Sequence, residues 1–147
     1  MTNSDTYYCV LGIIINQRGE LLLIKRADNG CWGFVEGGIL FGEKPEDAMK
    51  REIKEEVGLD VNFIIPIIPV SWTFEKENKK EHIVAMVYLC YVPLENLKTN
   101  PTEVTDYRWV TYNAMHSLKV ELNTKEERLC YGFEEVMQAY RVSSGRT

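Results

Sequence analysis

The stretch REIKEEVGLD, Arg51–Asp60, places four acidic residues within ten positions. It continues a helical pattern that begins at Pro45, because proline is favoured at the first position of a helix. The pattern stops before Gly58, a residue that commonly ends helices. Within it, apolar residues recur every four positions: Met49, Ile53 and Val57. The stretch therefore predicts a helix over residues 45–57 with one buried face.

The acidic residues of this helix lie beside its apolar face. On a helical wheel, Glu52, Glu55 and Glu56 fall within an arc of roughly 100° that adjoins the apolar stripe. Like charges at this spacing repel each other, and the repulsion grows beside a low-dielectric surface. Salt bridges to basic neighbours would relieve it, and so would a divalent cation, which prefers carboxylate oxygens. The helix by itself leaves both interpretations open.

The spacing upstream of the helix favours the cation. Gly37 is followed after five residues by Glu43, and after seven more by Arg51–Leu59. This pattern resembles the signature of Nudix hydrolases, G-x5-E-x7-R-E-U-x-E-E-x-G-U, in which U is a bulky aliphatic residue. Every specified position is filled, and the seven fixed letters alone match by chance on the order of once in 10⁸ to 10⁹ positions. Similarity to the family continues at Trp32 and Phe34 before the signature and at Glu103–Val110 after it.

The resemblance implies a fold and a reaction. The fold is α/β, a Nudix-type α/β/α sandwich with a mixed β-sheet, expected as a single domain over residues 1–147. The reaction is hydrolysis of a diphosphate linkage in a nucleoside diphosphate derivative, with Mg²⁺ or, as a substitute, Mn²⁺. Because an acidic site repels an anionic diphosphate, a cation is needed to join the two. A non-catalytic Nudix-fold nucleotide sensor or regulator is the alternative, although such domains tend to lose the glutamates that this chain keeps.

The resemblance also implies roles for individual residues. Glu52, Glu55 and Glu56 are expected to bind the metal, with Glu55 or Glu52 as general base. Arg51 is expected to fix a carboxylate through a charge-assisted ion pair. The main-chain carbonyl of Glu36 and the side chain of the loop residue Glu103 are further expected metal ligands. Glu103 is also a candidate base. Gly37, Glu43 and Gly58 are expected to support the site.

The chain departs from the family pattern just before the signature. Val35 and Glu36 stand where Pro-Gly is usual, and the loss of glycine restricts the backbone angle φ. We therefore expect the segment Glu36–Lys44 to be a loop whose shape differs from that of other members.

The nature of the nucleotide is not specified by the sequence. Trp72 and Phe74 are candidates to stack on a base, and Lys25 and Arg26 are candidates to contact phosphate. Packing in the sheet is the alternative for the two aromatic residues, and surface charge at a strand end is the alternative for the two basic ones. The expected partner is a nucleotide-type small molecule.

Composition limits other functions. The 147 residues include 22 acidic and 17 basic ones, a net charge of −5, which argues against a binder of nucleic-acid duplex. Four scattered cysteines and two histidines disfavour a zinc site. The N-terminal residues lack the features of a signal peptide, and the longest apolar run, Ile83–Val92, is too short to span a bilayer. We expect a soluble cytoplasmic protein without a membrane partner, and a homodimer stays open.

Local patterns predict the remaining elements. A final helix is expected over Thr124–Arg141, with Thr124 and Glu127 as a capping box. Strands are expected at Val10–Ile15, Glu20–Arg26, Ile83–Val92 and Tyr107–Val110.

Overall fold

The computed structural model describes residues 4–93 and 96–145. Its centre is a mixed β-sheet in which β1 (Ser4–Ile15) and β7 (Lys79–Tyr91) pair in parallel from Ser4 to Ile15. The other described strands are β2 (Leu21–Arg26), β3 (Cys31–Gly33), β4 (Val35–Gly38), β5 (Phe63–Pro66), β6 (Val70–Lys76), β8 (Val104–Val110) and β9 (Arg128–Leu129). The strand order is β5-β7-β1-β2-β3-β9, while β4 pairs with β1, β6 with β7 and β8 with β2.

Helices cover both faces of this sheet. The helix α1 (Pro45–Val57) packs on one face, and α2 (Met115–Glu121) and α3 (Phe133–Ser144) pack on the other. Because side chains alternate along a strand, β1 supplies residues to both cores. Val10 and Ile14 lie on the α1 side, and Leu11 and Ile13 lie on the α2–α3 side. This arrangement confirms the predicted α/β/α sandwich with a mixed sheet.

The helix α1 has the bounds that its sequence predicts. Pro45 occupies its first turn, and the apolar residues Met49, Ile53 and Val57 are fully buried. At its C-terminal end Gly58 adopts a left-handed conformation with φ of 72°, and its amide donates a hydrogen bond to the carbonyl of Lys54 at 3.1 Å. Local signals are sufficient here, because the cap, the periodicity and the burial all agree.

The prediction of one long C-terminal helix is wrong. Thr124 and Glu127 form a four-residue turn, in which the Glu127 amide donates to Thr124 Oγ1 at 2.9 Å and the Thr124 amide donates to the Glu127 carbonyl at 2.8 Å. A capping-box sequence closes such a turn as readily as it starts a helix. The structure instead has the short helix α2, the strand β9 and then α3.

Other boundaries also differ from the predictions, including that of β7, which runs over Lys79–Tyr91 where Ile83–Val92 was expected. The segment Glu36–Lys44 is not entirely a loop, since Glu36, Gly37 and Gly38 belong to β4 and pair with Leu11, Val10 and Cys9 of β1. The strand β1 starts at Ser4, before the predicted Val10, because its polar N-terminal half pairs with β7. The strand β8 likewise starts at Val104 through its pairing with β2. In the described residues no helix has the length and apolar character needed to cross a membrane.

We expect Gly132→Ala to destabilise the fold by about 2 to 4 kcal/mol. Gly132 precedes α3 with φ of 85°, and a Cβ atom there would lie 2.4 Å from the indole ring of Trp72. Urea unfolding at neutral pH would measure the loss. Gly19→Ala is the matched control, because Gly19 has φ of 76° with open space around it, so only the backbone strain of roughly 1 kcal/mol remains. Equal losses in the two variants would contradict the contact with Trp72.

Candidate active site

A cavity of about 290 Å³ lies beside α1. Its lining brings together the loop after β2, the strand β4, the helix α1 and the loop before β8. The lining residues are Arg26, Asp28, Glu36, Gly37, Glu52, Glu56, Thr102 and Glu103. Five of these eight side chains are carboxylates, so we call this the acidic cavity.

The half-buried Glu52 and the buried Glu56 form a carboxylate pair at one wall of the acidic cavity. They lie one helical turn apart, and Glu56 is only 5% exposed. Burial, together with a hydrogen bond to the Glu52 carboxylate and the charge of Glu103, raises the pKa of Glu56 to about 9. Without a cation, one proton is therefore held by this pair at neutral pH, because two adjacent buried carboxylates do not both ionise.

Arg51 connects the carboxylates of α1 to the loop that precedes it. Its Nε and Nη2 donate to both oxygens of Glu43 at 2.8 and 3.0 Å, and Nη2 also donates to the carbonyl of Gly38 at 3.0 Å. Its Nη1 donates to Glu52 at 2.9 Å and to Glu55 at 3.3 Å. The guanidinium lowers the pKa of Glu43, which therefore stays ionised and holds Arg51 in place.

Gly37 makes room for the carboxylate of Glu52. Its partner in β1 is Val10, so the face of Gly37 that would carry a side chain points towards α1. A Cβ atom at this position would lie 2.1 Å from the carboxyl carbon of Glu52. The absence of a side chain at Gly37 is thus part of how the site positions Glu52.

Arg26 is held between two carboxylates at the opposite wall. Its Nη1 donates to Glu36 at 2.9 Å, and its Nε and Nη2 donate to the two oxygens of Asp28 at 3.0 and 2.9 Å. Burial raises the pKa of Glu36, and the charge of Arg26 offsets part of that effect. Glu36, which stands where the family usually has glycine, is therefore a residue of β4 that forms an ion pair with Arg26.

Glu103 reaches the acidic cavity from the loop before β8. Main-chain hydrogen bonds hold this loop in place. The Glu103 carbonyl accepts one from the Ala27 amide at 2.9 Å, and the Glu103 amide donates one to the Asn100 carbonyl at 2.9 Å. Its side chain remains exposed. Glu55 is also exposed, but it lies outside the described lining of the cavity and contacts Arg51.

The other candidate substrate contacts lie outside the acidic cavity. Lys25 pairs with Glu127 at 3.2 Å. Trp72 packs against the core beneath Gly132. Phe74 stacks on Tyr131, with ring centroids 5.0 Å apart and planes 10° from parallel. Tyr131 in turn lies beside Glu36 in the wall of a small crevice between β1 and the start of α3.

Three residues near the site were missed by the sequence analysis. Asp28 and Thr102 sit in loops whose course depends on strand pairing, and no local pattern marks them. Tyr131 lay inside the predicted C-terminal helix, so its position before α3 was hidden. The glycine directly after it, Gly132, was the signal in the sequence for a helix start at Phe133. In the structure Gly132 has φ of 85°.

The acidic residues suit a hard divalent cation in their chemistry. Within residues 4–93 and 96–145 no group of three or more His, Cys, Asp or Glu side chains could hold an ion as placed. Arg51 instead donates hydrogen bonds to Glu52 and Glu55, and the raised pKa of Glu56 keeps that carboxyl group protonated at neutral pH. A cation would replace that proton as the positive charge between buried carboxylates, and oxygen donors are what Mg²⁺ prefers.

Comparisons with known proteins concern the family and the fold of the chain. A family profile described as NUDIX domain matches residues 7–130. An RNA pyrophosphohydrolase of Marinomonas sp. (strain MWYL1) is 49% identical over 61 residues, which cover 41% of this chain and 38% of the relative. An RNA pyrophosphohydrolase of Yersinia pestis (strain Pestoides F) is 32% identical over 129 residues, which cover 76% of this chain and 74% of the relative. The chain thus spans well under half the length of the first relative.

A solved structure shares the fold. The NUDIX domain of Shewanella oneidensis NrtR, complexed with ADP ribose, superposes with a TM-score of 0.73 at 15% identity, covering 95% of this chain and 89% of that domain. At this identity the similarity concerns the fold alone. The profile match over most of the sequence, the arrangement of Arg51, Glu52 and Glu56 on α1, and the shared fold lead to one conclusion: the chain belongs to the Nudix family.

Proposed function

We propose that the protein is a metal-dependent pyrophosphohydrolase that cleaves a diphosphate linkage in a nucleotide derivative, with the whole chain acting as one Nudix domain. The observation that carries the proposal is the Glu52–Glu56 carboxylate pair at the wall of an open cavity lined by five carboxylates. Such a cluster is electrostatically costly, and a structural helix has no need of it.

The proposed cofactor is Mg²⁺, with Mn²⁺ as a substitute. Glu52, Glu55 and Glu56 would hold it, supported by Glu103 and the main-chain carbonyl of Glu36. When bound, the cation supplies the positive charge that joins phosphate oxygens to the carboxylates and makes phosphorus more electrophilic. Arg51 acts as a positioning residue, since it orients Glu52 and Glu55 from one side and is itself fixed by Glu43. Gly58 ends α1 so that Glu56 stays at its last turn.

Two exposed carboxylates are able to accept the proton of the attacking water. Glu103 lines the acidic cavity, and we therefore assign it the role of general base ahead of Glu55, which faces Arg51. The pH dependence of kcat/KM separates them: Glu103→Gln should abolish the acidic limb of the profile, and Glu55→Gln should retain it. The opposite pattern would transfer the role to Glu55.

The proposed substrate is an RNA that carries a diphosphate linkage at its end. The relatives from Marinomonas and Yersinia are named RNA pyrophosphohydrolases, and the NrtR domain is complexed with a nucleotide derivative. The exposed Tyr131 ring, supported by Phe74, offers a surface on which a base can stack, beside the Arg26–Glu36 wall of the acidic cavity. Arg26 would turn towards phosphate by exchanging one of its two carboxylate partners.

A substrate panel tests the activity. With Mg²⁺ present, the protein should release inorganic phosphate or pyrophosphate from 5′-triphosphorylated oligoribonucleotides, and mononucleotide from at least one nucleoside diphosphate derivative. Excess EDTA should abolish the release. Binding of these compounds without any turnover would identify the protein as a nucleotide sensor and would overturn the proposed enzyme activity.

We expect Tyr131→Ala to raise KM for a triphosphorylated oligoribonucleotide by about tenfold, because stacking of one base is worth roughly 1 to 3 kcal/mol. The value of kcat should change little, since the ring is not part of the described lining of the acidic cavity. Tyr91→Ala is a matched control that loses a comparable ring contact, with Phe63, at a distant strand. A KM that is unchanged by Tyr131→Ala, or raised equally by both variants, would remove Tyr131 from the binding surface.

A further inference from the structure

A second cavity, of about 230 Å³, lies between α2 and α3, and we call it the α2–α3 cavity. It is on the side of the sheet opposite α1, and its described lining has no residue in common with that of the acidic cavity. Nothing in the proposed hydrolysis uses it. The lining residues that matter here are Asn113, Met115, His116, Lys119, Met137 and Arg141.

The charge of this cavity is opposite to that of the molecule. The chain has five more acidic than basic residues, yet the described lining of the α2–α3 cavity contains Lys119, Arg141 and His116 and no carboxylate. The acidic cavity shows the reverse composition, with five carboxylates and one arginine. In an acidic protein, a basic pocket is therefore a local feature that requires its own explanation.

Arg141 and Lys119 differ in the partners that they have among the described residues. Arg141 donates from Nη2 to the neutral amide oxygen of Gln138 at 2.6 Å, and no ion pair of Arg141 occurs in the part of the chain that the structure describes. Lys119 differs, because it pairs with Glu134 of α3 at 2.5 Å. The pair joins α2 to α3 and leaves the guanidinium of Arg141 as the charge available to a ligand.

The donors approach from two helices over an apolar floor. His116 and Lys119 lie one turn apart on α2, and Arg141 faces them from α3. Met115 and Met137 are almost completely buried beneath them, and such a floor strengthens the attraction between opposite charges. Donors on several sides suit a tetrahedral oxyanion such as phosphate, to which an arginine can also donate two parallel hydrogen bonds.

We infer that the α2–α3 cavity binds a phosphate group, independently of the acidic cavity. Its volume is below the roughly 300 to 1,000 Å³ of sites for larger organic ligands, so one phosphate with its remaining water fits it better than a whole nucleotide. Inorganic phosphate and a phosphodiester of an RNA chain share this chemistry, and binding experiments distinguish the two sources.

The test follows backbone amide NMR signals of the metal-free protein during titration with inorganic phosphate. Signals of Asn113, His116, Lys119 and Arg141 should shift together with millimolar phosphate. Arg141→Gln should raise the dissociation constant by about tenfold or more, equivalent to roughly 1.4 kcal/mol. Lys50→Gln removes the same charge from the exposed side of α1 and should leave the constant unchanged within about twofold.

Further titrations identify the source of the phosphate. Shifts of the same signals with an oligoribonucleotide that has no terminal phosphate, but not with inorganic phosphate, would assign the site to the RNA backbone. Shifts with inorganic phosphate, but not with this oligoribonucleotide, would assign it to free phosphate. Equal shifts with acetate, no shifts with either phosphate source, or shifts that survive Arg141→Gln would overturn the inference. Should Arg141→Gln lower the unfolding midpoint, His116→Gln at an exposed position provides the comparison. Failure here leaves hydrolysis at the acidic cavity untouched, because the readout is binding without metal.

Discussion

Glu56→Gln is expected to lower kcat about a thousandfold and to raise the free energy of unfolding of the metal-free protein at alkaline pH. The loss of rate follows because Gln keeps the shape of Glu56 but not the charge that would hold a cation beside Glu52. A thousandfold loss corresponds to about 4 kcal/mol of transition-state stabilisation. Steady-state assays with Mg²⁺ on the best substrate of the panel would measure it.

The gain in stability follows from the raised pKa of Glu56. The folded metal-free protein keeps the Glu56 proton up to a pH of about 9, whereas the unfolded chain releases it near the ordinary value of a glutamate. Protonation therefore contributes stability that is complete below the unfolded pKa and is lost as pH rises through the folded pKa. Gln has no proton to lose, so the advantage of Glu56→Gln should be small at pH 5 and should grow by up to about 1.4 kcal/mol for each pH unit towards pH 9.

Urea unfolding in EDTA across this pH range would measure the change. Glu55→Gln is the control for stability, because Glu55 is 55% exposed and its charge is solvated in both states. It should leave the free energy of unfolding within about 0.5 kcal/mol of the wild type. A Glu56→Gln variant that is equally destabilised at every pH would contradict the raised pKa of Glu56.

Gly37→Ala is expected to lower kcat/KM about a hundredfold with little change in the stability of the fold. The new Cβ atom would occupy the place of the Glu52 carboxyl group, which would have to move. Because this group is the far end of a flexible side chain, its displacement should cost less than about 1 kcal/mol of stability. Misplacement by about 1 Å is enough to cost a hundredfold in rate.

Gly38→Ala provides the matched control for this prediction. Gly38 is the next residue of β4, and a Cβ atom there meets nothing within 4 Å. Both substitutions restrict the unfolded chain equally, so the difference between the two variants isolates the contact with Glu52. A calorimetric titration with Mg²⁺ should show weaker binding in Gly37→Ala alone. Equal activity of the two variants would contradict the role of Gly37.

The acidic wall of the site could be predicted because it is local. Pro45, the four-residue apolar period and Gly58 define α1 within one segment, and Glu52 and Glu56 follow from helical geometry once α1 exists. The spacing from Gly37 to Glu43 and Arg51 then relates the loop to the helix over a short distance in sequence. Interactions between residues that are close in sequence produce local sequence patterns, and such patterns can be recognised without the structure.

Ion pairs and hydrogen bonds between distant segments could not be predicted in the same way. Glu127 matched a helix cap in its local sequence, but its carboxylate accepts a hydrogen bond from Trp32 Nε1 at 2.6 Å and pairs with Lys25. Arg26 likewise meets Glu36 across the β2 and β4 strands. For such charged groups, the choice of partner depends on which distant strands become neighbours.

By itself, therefore, the sequence determined the family, the helix α1 and the charge that it carries, because these depend on contacts within one or two turns. Only the tertiary structure decided that Glu56 is buried against Glu52, that Arg26 is held by Glu36 and Asp28, and that Lys119 and Arg141 line one cavity between two helices. Burial and long-range ion pairs arise when the sheet brings distant segments together, and those distances in space are absent from any local pattern.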